Sequence, residues 1–299
     1  MVQFEHQSVM PKEVLDLLVT DATGVYVDAT LGAGGHALKL LQTYPDLRLI
    51  GVDQDAYALS YATDRLAAYT DRCNVLKGNF RYLTALLASI GVRQVSGILF
   101  DLGVSSPQLD QRERGFSYQQ EDAPLDMRMD LDNPLTAFRL INQRPEQEIR
   151  HALQTFGEER WAARIAQFIV QARQVEPIRT SGQLVDIIRA AVPAAARRSG
   201  GHPARRTFQA LRIWVNDELG ALNEGLEEGW HVLVPSGRLV VIAFHSLEDR
   251  IVKNRFRDWS TQSEGRLVTR HPLMANAQEL ADNPRSRSAK LRAVEKLTH

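Results

Sequence analysis

Three short apolar runs in the first hundred or so positions each stop at an acid. Val25, Tyr26 and Val27 lead into Asp28, residues 47–52 into Asp53, and residues 97–100 into Asp101. A weaker run at residues 74–76 falls between the last two, and helix-like stretches such as residues 36–43 separate them. Buried strands alternating with helices predict a parallel, doubly wound α/β sheet. Ligands of such sheets lie at the carboxyl ends of the strands.

The alternation then lapses until residues 238–244. In the gap, apolar residues recur at three-and-four spacing: Ile149, Leu153 and Phe156, then Trp161, Ile165, Phe168, Ile169 and Ala172. Thr180 and Gln183 have capping-box spacing ahead of Leu184, Ile187, Ile188 and Ala191, and Pro193 stops that helix. A helix over residues 217–233, with Leu219, Leu222, Leu226 and Trp230 on one side, returns the chain to the sheet. The pattern predicts a sheet domain in two parts, residues 1–110 and 215–299, around an all-helical insertion at residues 111–214 that serves substrate recognition. Gly- and Pro-bearing stretches at residues 106–132 and 199–203 read as connectors. Residues 265–280 are poorly patterned, and no site residue is assigned there.

Charge changes the picture by what it withholds. With 36 Lys plus Arg against 36 Asp plus Glu, the total favours no polyanion, so a nucleic-acid partner must be met by a local basic patch. The single cysteine, Cys73, excludes an internal disulfide and a cysteine-rich zinc site and fits a reducing, cytoplasmic compartment. No apolar run approaches the roughly 20 residues of a membrane helix, and the opening residues lack the layout of a signal peptide.

The segment Asp28-Ala29-Thr30-Leu31-Gly32-Ala33-Gly34-Gly35-His36-Ala37 places glycines where a strand must turn into a helix. A ligand can there approach the backbone and meet unpaired N–H groups. Gly32, Gly34 and Ala37 satisfy the dinucleotide spacing, and Asp53, 19 residues beyond Gly34, suits a ribose hydroxyl. The motif alone therefore leaves nicotinamide and other nucleoside cofactors open. Asp28 decides between them: a carboxylate beside the turn repels a pyrophosphate but suits the ammonium and sulfonium charges of S-adenosylmethionine. The blander alternative is a tight turn flanked by solvated strand ends. Phe80, after the third strand, is placed either against adenine or in the core, and Pro235-Ser236-Gly237 reads as a turn before a late strand.

Longer blocks carry a resemblance. The run from Asp101 to Asp110 (DLGVSSPQLD), Arg114-Gly115-Phe116-Ser117, Pro124-Leu125-Asp126-Met127-Arg128-Met129, Thr155-Phe156-Gly157-Glu158-Glu159-Arg160, the run from His202 to Ile213, Phe244-His245-Ser246-Leu247-Glu248-Asp249-Arg250, the opening His6 to Val9 and the closing Asn283-Pro284-Arg285-Ser286-Arg287-Ser288 together resemble the bacterial 16S ribosomal RNA cytosine-N4 methyltransferase family. That resemblance implies a class I, Rossmann-like methyltransferase that uses S-adenosylmethionine on the exocyclic amine of one cytidine in small-subunit rRNA. It assigns the cofactor to Gly34, Gly35, His36, Asp53, Phe80, Asp101 and Gln108, and the partner is 16S rRNA in the small ribosomal subunit. No metal ligand and no membrane association are implied.

Cytosine's exocyclic nitrogen is a poor nucleophile because its lone pair is delocalised, so orientation is the main task. Asp101, or carbonyls in the loop after it, is the candidate to accept its proton. DNA amino-methyltransferases commonly carry a Pro-Pro-aromatic triplet at this point, where this chain has Leu102-Gly103-Val104-Ser105-Ser106-Pro107. Arg197, Arg198, Arg205, Arg206 and Arg212 fall within sixteen residues without an acid, and Arg285, Arg287, Lys290 and Arg292 cluster later. Arg205 and Arg206 are the candidates to seat RNA; a solvated helix face is the alternative for each cluster. Three competing readings remain: an oxidoreductase, without a clear hydride-site acid or base; a hydrolase using Ser105 or Ser106 with His245, although Pro107 replaces the glycine of a nucleophile elbow and Ser246 and Asp249 suit helix capping; and a ribosome-assembly protein with no chemistry.

Overall fold

The computed structural model describes residues 7–197 and 201–298; His6, Arg198 and Ser199 lie outside them. In chain order come α1 (Pro11–Leu18), β1 (Val25–Asp28), α2 (Gly35–Thr43), β2 (Arg48–Asp53), α3 (Ala56–Arg65), β3 (Cys73–Lys77), α4 (Leu83–Ser89) and β4 (Val95–Asp101). A helical stretch follows: α5 (Ser106–Asp110), α6 (Ala137–Gln143), α7 (Glu146–Gly157), α8 (Ala162–Val175), α9 (Ser181–Ala191), α10 (Ala194–Arg197) and α11 (Arg205–Asn216). Then come α12 (Glu218–Val232), β5 (Leu233–Ala243), α13 (Ser246–Thr261), β6 (Gly265–Leu267), α14 (Ala277–Asp282) and β7 (Lys290–Lys296).

Contacts divide the chain into two compact units, residues 1–106 with 219–299, and residues 107–218. The sequence pattern divides it after residues 110 and 214 instead. At the second boundary, Glu218 stays with the helical unit because Arg212 grips its carboxylate at 2.8 and 2.9 Å.

The sheet of the first unit has the order β3-β2-β1-β4-β5-β7-β6. The strands β1 to β5 pair in parallel, and β7 runs antiparallel to both β5 and β6. This is the class I methyltransferase sheet, and its order reverses between β1 and β4. Alternate side chains sort to two cores. Tyr26, Leu49, Leu99, Val240 and Ile242 join the cluster of α1, α2 and α3, while Val27, Ile50, Phe100 and Val241 join that of α4, α12 and α13. Burial on both faces explains the nearly continuous apolar strands, each such side chain contributing about 1.5–3 kcal/mol.

Two sequence expectations differ from the structure here. Pro235-Ser236-Gly237 lies within β5 rather than before it: Leu233 pairs with Val95 and Arg238 with Gly97, so the chain bulges out by three residues there, with Ser236 at φ 63°. The Lys290 and Arg292 end of the late basic cluster is strand β7, whose Leu291, Ala293 and Val294 are buried.

In the helical unit, α7 packs on α8 and α11, and α8 on α9. The Thr180–Gln183 capping box is present at the start of α9, which buries Leu184, Val185 and Ile188; Ile187 is only half-buried. Asp126 and Arg128 pair at 2.9 Å, and Asn216 accepts from the Met129 N–H at 2.8 Å while donating to the Met127 carbonyl, so that block holds its own loop to α11. Among the described residues no helix is long and apolar enough to cross a membrane.

Candidate functional site

The turn after β1 is stitched to both neighbouring strands. The Ala29 N–H donates to the Leu99 carbonyl and the Leu31 N–H to Val52, each at 2.9 Å. Gly32 and Gly34 take φ of 51° and 75°, a left-handed conformation that side chains resist, and Gly34 is the N-cap of α2 with no side chain capping it. A Cβ at Gly35 would fall 2.3 Å from the Ser8 hydroxyl, so the N-terminal segment lies directly against the turn.

Three acids meet here at the ends of β1, β2 and β4. Asp28 is 1% exposed, and burial pushes its carboxyl up to about 7; His36 opposes that shift, and Asp101 and Asp53 add to it. Asp53 accepts the Gly32 N–H at 2.7 Å and the Asp55 N–H at 2.9 Å. Burial nonetheless raises it to about 6 against those bonds. The Asp101 N–H donates to Thr30 Oγ at 2.6 Å, fixing the end of β4 to the turn. His36 Nε2 lies 3.4 Å from Asp101 Oδ2, an ion-pair approach without hydrogen-bond alignment. Burial disfavours the imidazolium, but Asp101 and Asp28 outweigh it and hold His36 above the usual histidine range. Asp101 Oδ1 and His36 Nδ1 are buried without a hydrogen-bond partner.

This arrangement fits a cationic nucleoside better than a dinucleotide. Three carboxylates, one with an orphaned oxygen, attract ammonium and sulfonium groups, and they would repel a pyrophosphate at the same turn. The remaining lone pairs of Asp53 suit ribose hydroxyls.

Phe80 packs against the core, one of the two placements foreseen for it. It is half-buried, edge-on to Phe100 at 5.4 Å, and its ring occupies the place a Cβ at Gly225 of α12 would take. Asn79 beside it donates to Gln54 at 2.8 Å, joining the ends of β3 and β2. Gln108 is a buried residue of α5 in the helical unit.

Of the basic candidates, Arg205 and Arg206 are exposed in the first turn of α11, which contains no acid. Cations at that positive helix end cost about 0.3–1 kcal/mol, so the pair is not placed there for helix stability. Arg206 donates one bond, to the Glu158 carbonyl at 3.0 Å. Arg212 leaves the cluster, because both its Nε and Nη2 are bound to Glu218. Lys290 and Arg292 leave theirs, bound to Asp249 at 3.0 and 2.7 Å. Arg285 and Arg287 remain exposed. The cap of α13 is neither Ser246 nor Asp249 but His245, which forms a capping box with Glu248 and is thereby occupied structurally.

The sequence reading passed over Thr30, Ser8 and Glu279. Thr30 lies inside the glycine motif. Ser8 is signalled only by the opening block of the family resemblance. Glu279, which accepts the Met10 N–H at 2.6 Å, carries no sequence signal.

Known proteins agree along the full length. The chain is 53% identical to a ribosomal RNA small subunit methyltransferase H from Symbiobacterium thermophilum over 98% of this chain and 97% of that one. It is 50% identical to the protein of that name from Heliobacterium modesticaldum, over 98% and 99%. A solved rRNA methylase from Streptococcus thermophilus overlays with a TM-score of 0.45 and 11% identity over 96% and 94% of the two chains; the sheet order, not that overlay, carries the fold assignment. With residues 3–297 matching one family description and relatives half identical end to end, the chain belongs to the MraW methylase family.

Proposed function

We propose that this protein transfers the methyl group of S-adenosylmethionine to the N4 amine of a cytidine in 16S rRNA of the small ribosomal subunit, in the cytoplasm. The observation that carries the reading is the convergence of Asp28, Asp53 and Asp101 on one glycine turn in a methylase-family chain.

The bound cofactor would supply an electrophilic methyl group on a sulfonium. Gly34, Gly35 and the first turn of α2 would lie along it, Asp53 would take the ribose hydroxyls, Phe80 would flank it, and Asp28 would balance its positive charge. The oxygen of Asp101 that lacks a partner would accept a hydrogen bond from the cytosine amine. That bond turns the nitrogen toward the methyl group and gives its proton a route out as the nitrogen becomes acidic on alkylation. His36, 3.4 Å from the other oxygen, holds the carboxylate in place. The helical unit, with Arg205 and Arg206, would seat the RNA, and a base drawn from its stack is cheapest where it is already unpaired.

The test is transfer of labelled methyl from S-adenosylmethionine to unmodified small-subunit particles, followed by nucleoside mass mapping. Label in N4-methylcytidine at one position is expected; label elsewhere, or none, overturns the reading.

A further inference from the structure

Two residues 84 positions apart meet in the helical unit. The rings of Tyr118 and His202 stack with centroids 4.5 Å apart and planes at 10°. Tyr118 also meets Phe208 edge-on at 5.8 Å, which anchors the stack on a buried ring of α11. Both stacked residues are half-exposed. The imidazole is fixed as well: its Nδ1 accepts the Ala204 N–H at 3.3 Å, and the His202 carbonyl accepts the Arg205 N–H at 3.1 Å. Nδ1 as acceptor leaves Nε2 as the ring's donor. Burial and the positive charge of Arg189 hold His202 below the usual histidine range, so at pH 7 the ring is neutral. The surroundings are basic. Arg189 is exposed on α9, 3.5 Å from Asp186, and Arg205 is exposed immediately after the stack.

A rigid aromatic face bordered by arginines is what unpaired RNA recognises, through base stacking and phosphate contacts that tolerate any sequence. We propose that the Tyr118–His202 stack is a platform for one unpaired base of the RNA substrate, with Arg189 and Arg205 meeting the phosphates on either side. This rests on the reading of the protein as an RNA methyltransferase and names where the helical unit holds the strand.

The experiment measures binding of unmethylated small ribosomal subunits to the full-length protein across a salt series, beside S-adenosylmethionine affinity and thermal stability. His202→Ala is expected to weaken RNA binding roughly 5- to 150-fold, the range for one stacked base. Its slope against log salt, its cofactor affinity and its melting temperature should stay as in the unsubstituted protein. His202→Phe should restore binding and His202→Lys should not. Arg189→Ala and Arg205→Ala should instead flatten the salt slope. Unchanged affinity in His202→Ala, or rescue by Lys equal to that by Phe, overturns the platform while methylation by the unsubstituted protein keeps the functional reading intact. If the unsubstituted protein neither binds nor methylates the RNA, the functional reading falls and the platform falls with it.

Discussion

Cofactor binding should depend on pH in a direction set by Asp28. Its buried carboxyl sits at about 7 in the protein without cofactor. A cationic ligand needs the ionised form, so binding must expel the proton wherever one is present. At pH 8 about nine in ten Asp28 carboxyls are already ionised; at pH 6 about one in ten is. S-adenosylmethionine should therefore bind about tenfold more weakly at pH 6 than at pH 8, a loss of about 1.4 kcal/mol. Asp53, at about 6, is half ionised at pH 6 and adds about a factor of two. Calorimetry at pH 6, 7 and 8, in pairs of buffers with different ionisation enthalpies, reads both the affinity and the protons released. About half a proton should leave at pH 7. Asp28→Asn should bind weakly and lose the Asp28 part of the dependence. Equal affinity from pH 6 to pH 8 with no proton release would refute the assignment of Asp28 as the counter-charge.

Asp101→Ala should lower turnover by roughly a hundredfold or more, as expected for a proton acceptor, and, with one of the three carboxylates around the turn gone, calorimetry should also show weaker cofactor binding. Replacing both Arg205 and Arg206 with Ala should reduce the slope of log affinity against log salt by about 1.4, two single-strand phosphate contacts; an unchanged slope would remove them from the RNA surface. Thr30→Val leaves the Asp101 N–H without its 2.6 Å acceptor, so urea unfolding should show a loss of about 1–3 kcal/mol.

Strands buried on both faces announce themselves as unbroken apolar runs, which is why β1, β2 and β4 and their terminal acids are legible from residues alone. The strand β7 is not, because its inward Leu291 and Ala293 alternate with Lys290 and Arg292, and the charges read as a phosphate patch. Their true partner, Asp249, lies over forty positions away, and pairing at that distance leaves no local pattern. The same limit hides the Tyr118–His202 stack and the grip of Glu279 on Met10. The kink at Ser236 is hidden differently. Pro-Ser-Gly chemistry is the same whether the chain reverses or merely bends within a ladder. For His36, the sequence supplied only a helix start; the nearby carboxylates at Asp28 and Asp101 become visible once the sheet brings three strand ends together.

The order in which the sheet is made differs from the order in which it is filled. Residues 290–296, synthesised after the six other described strands, are wedged between the fifth and the sixth. Until they emerge during translation, the flank of Val240 to Ala243 offers a run of unsatisfied amides and apolar side chains to any passing strand. A nascent chain stalled before that point is thus the species most exposed to aggregation and to chaperone capture.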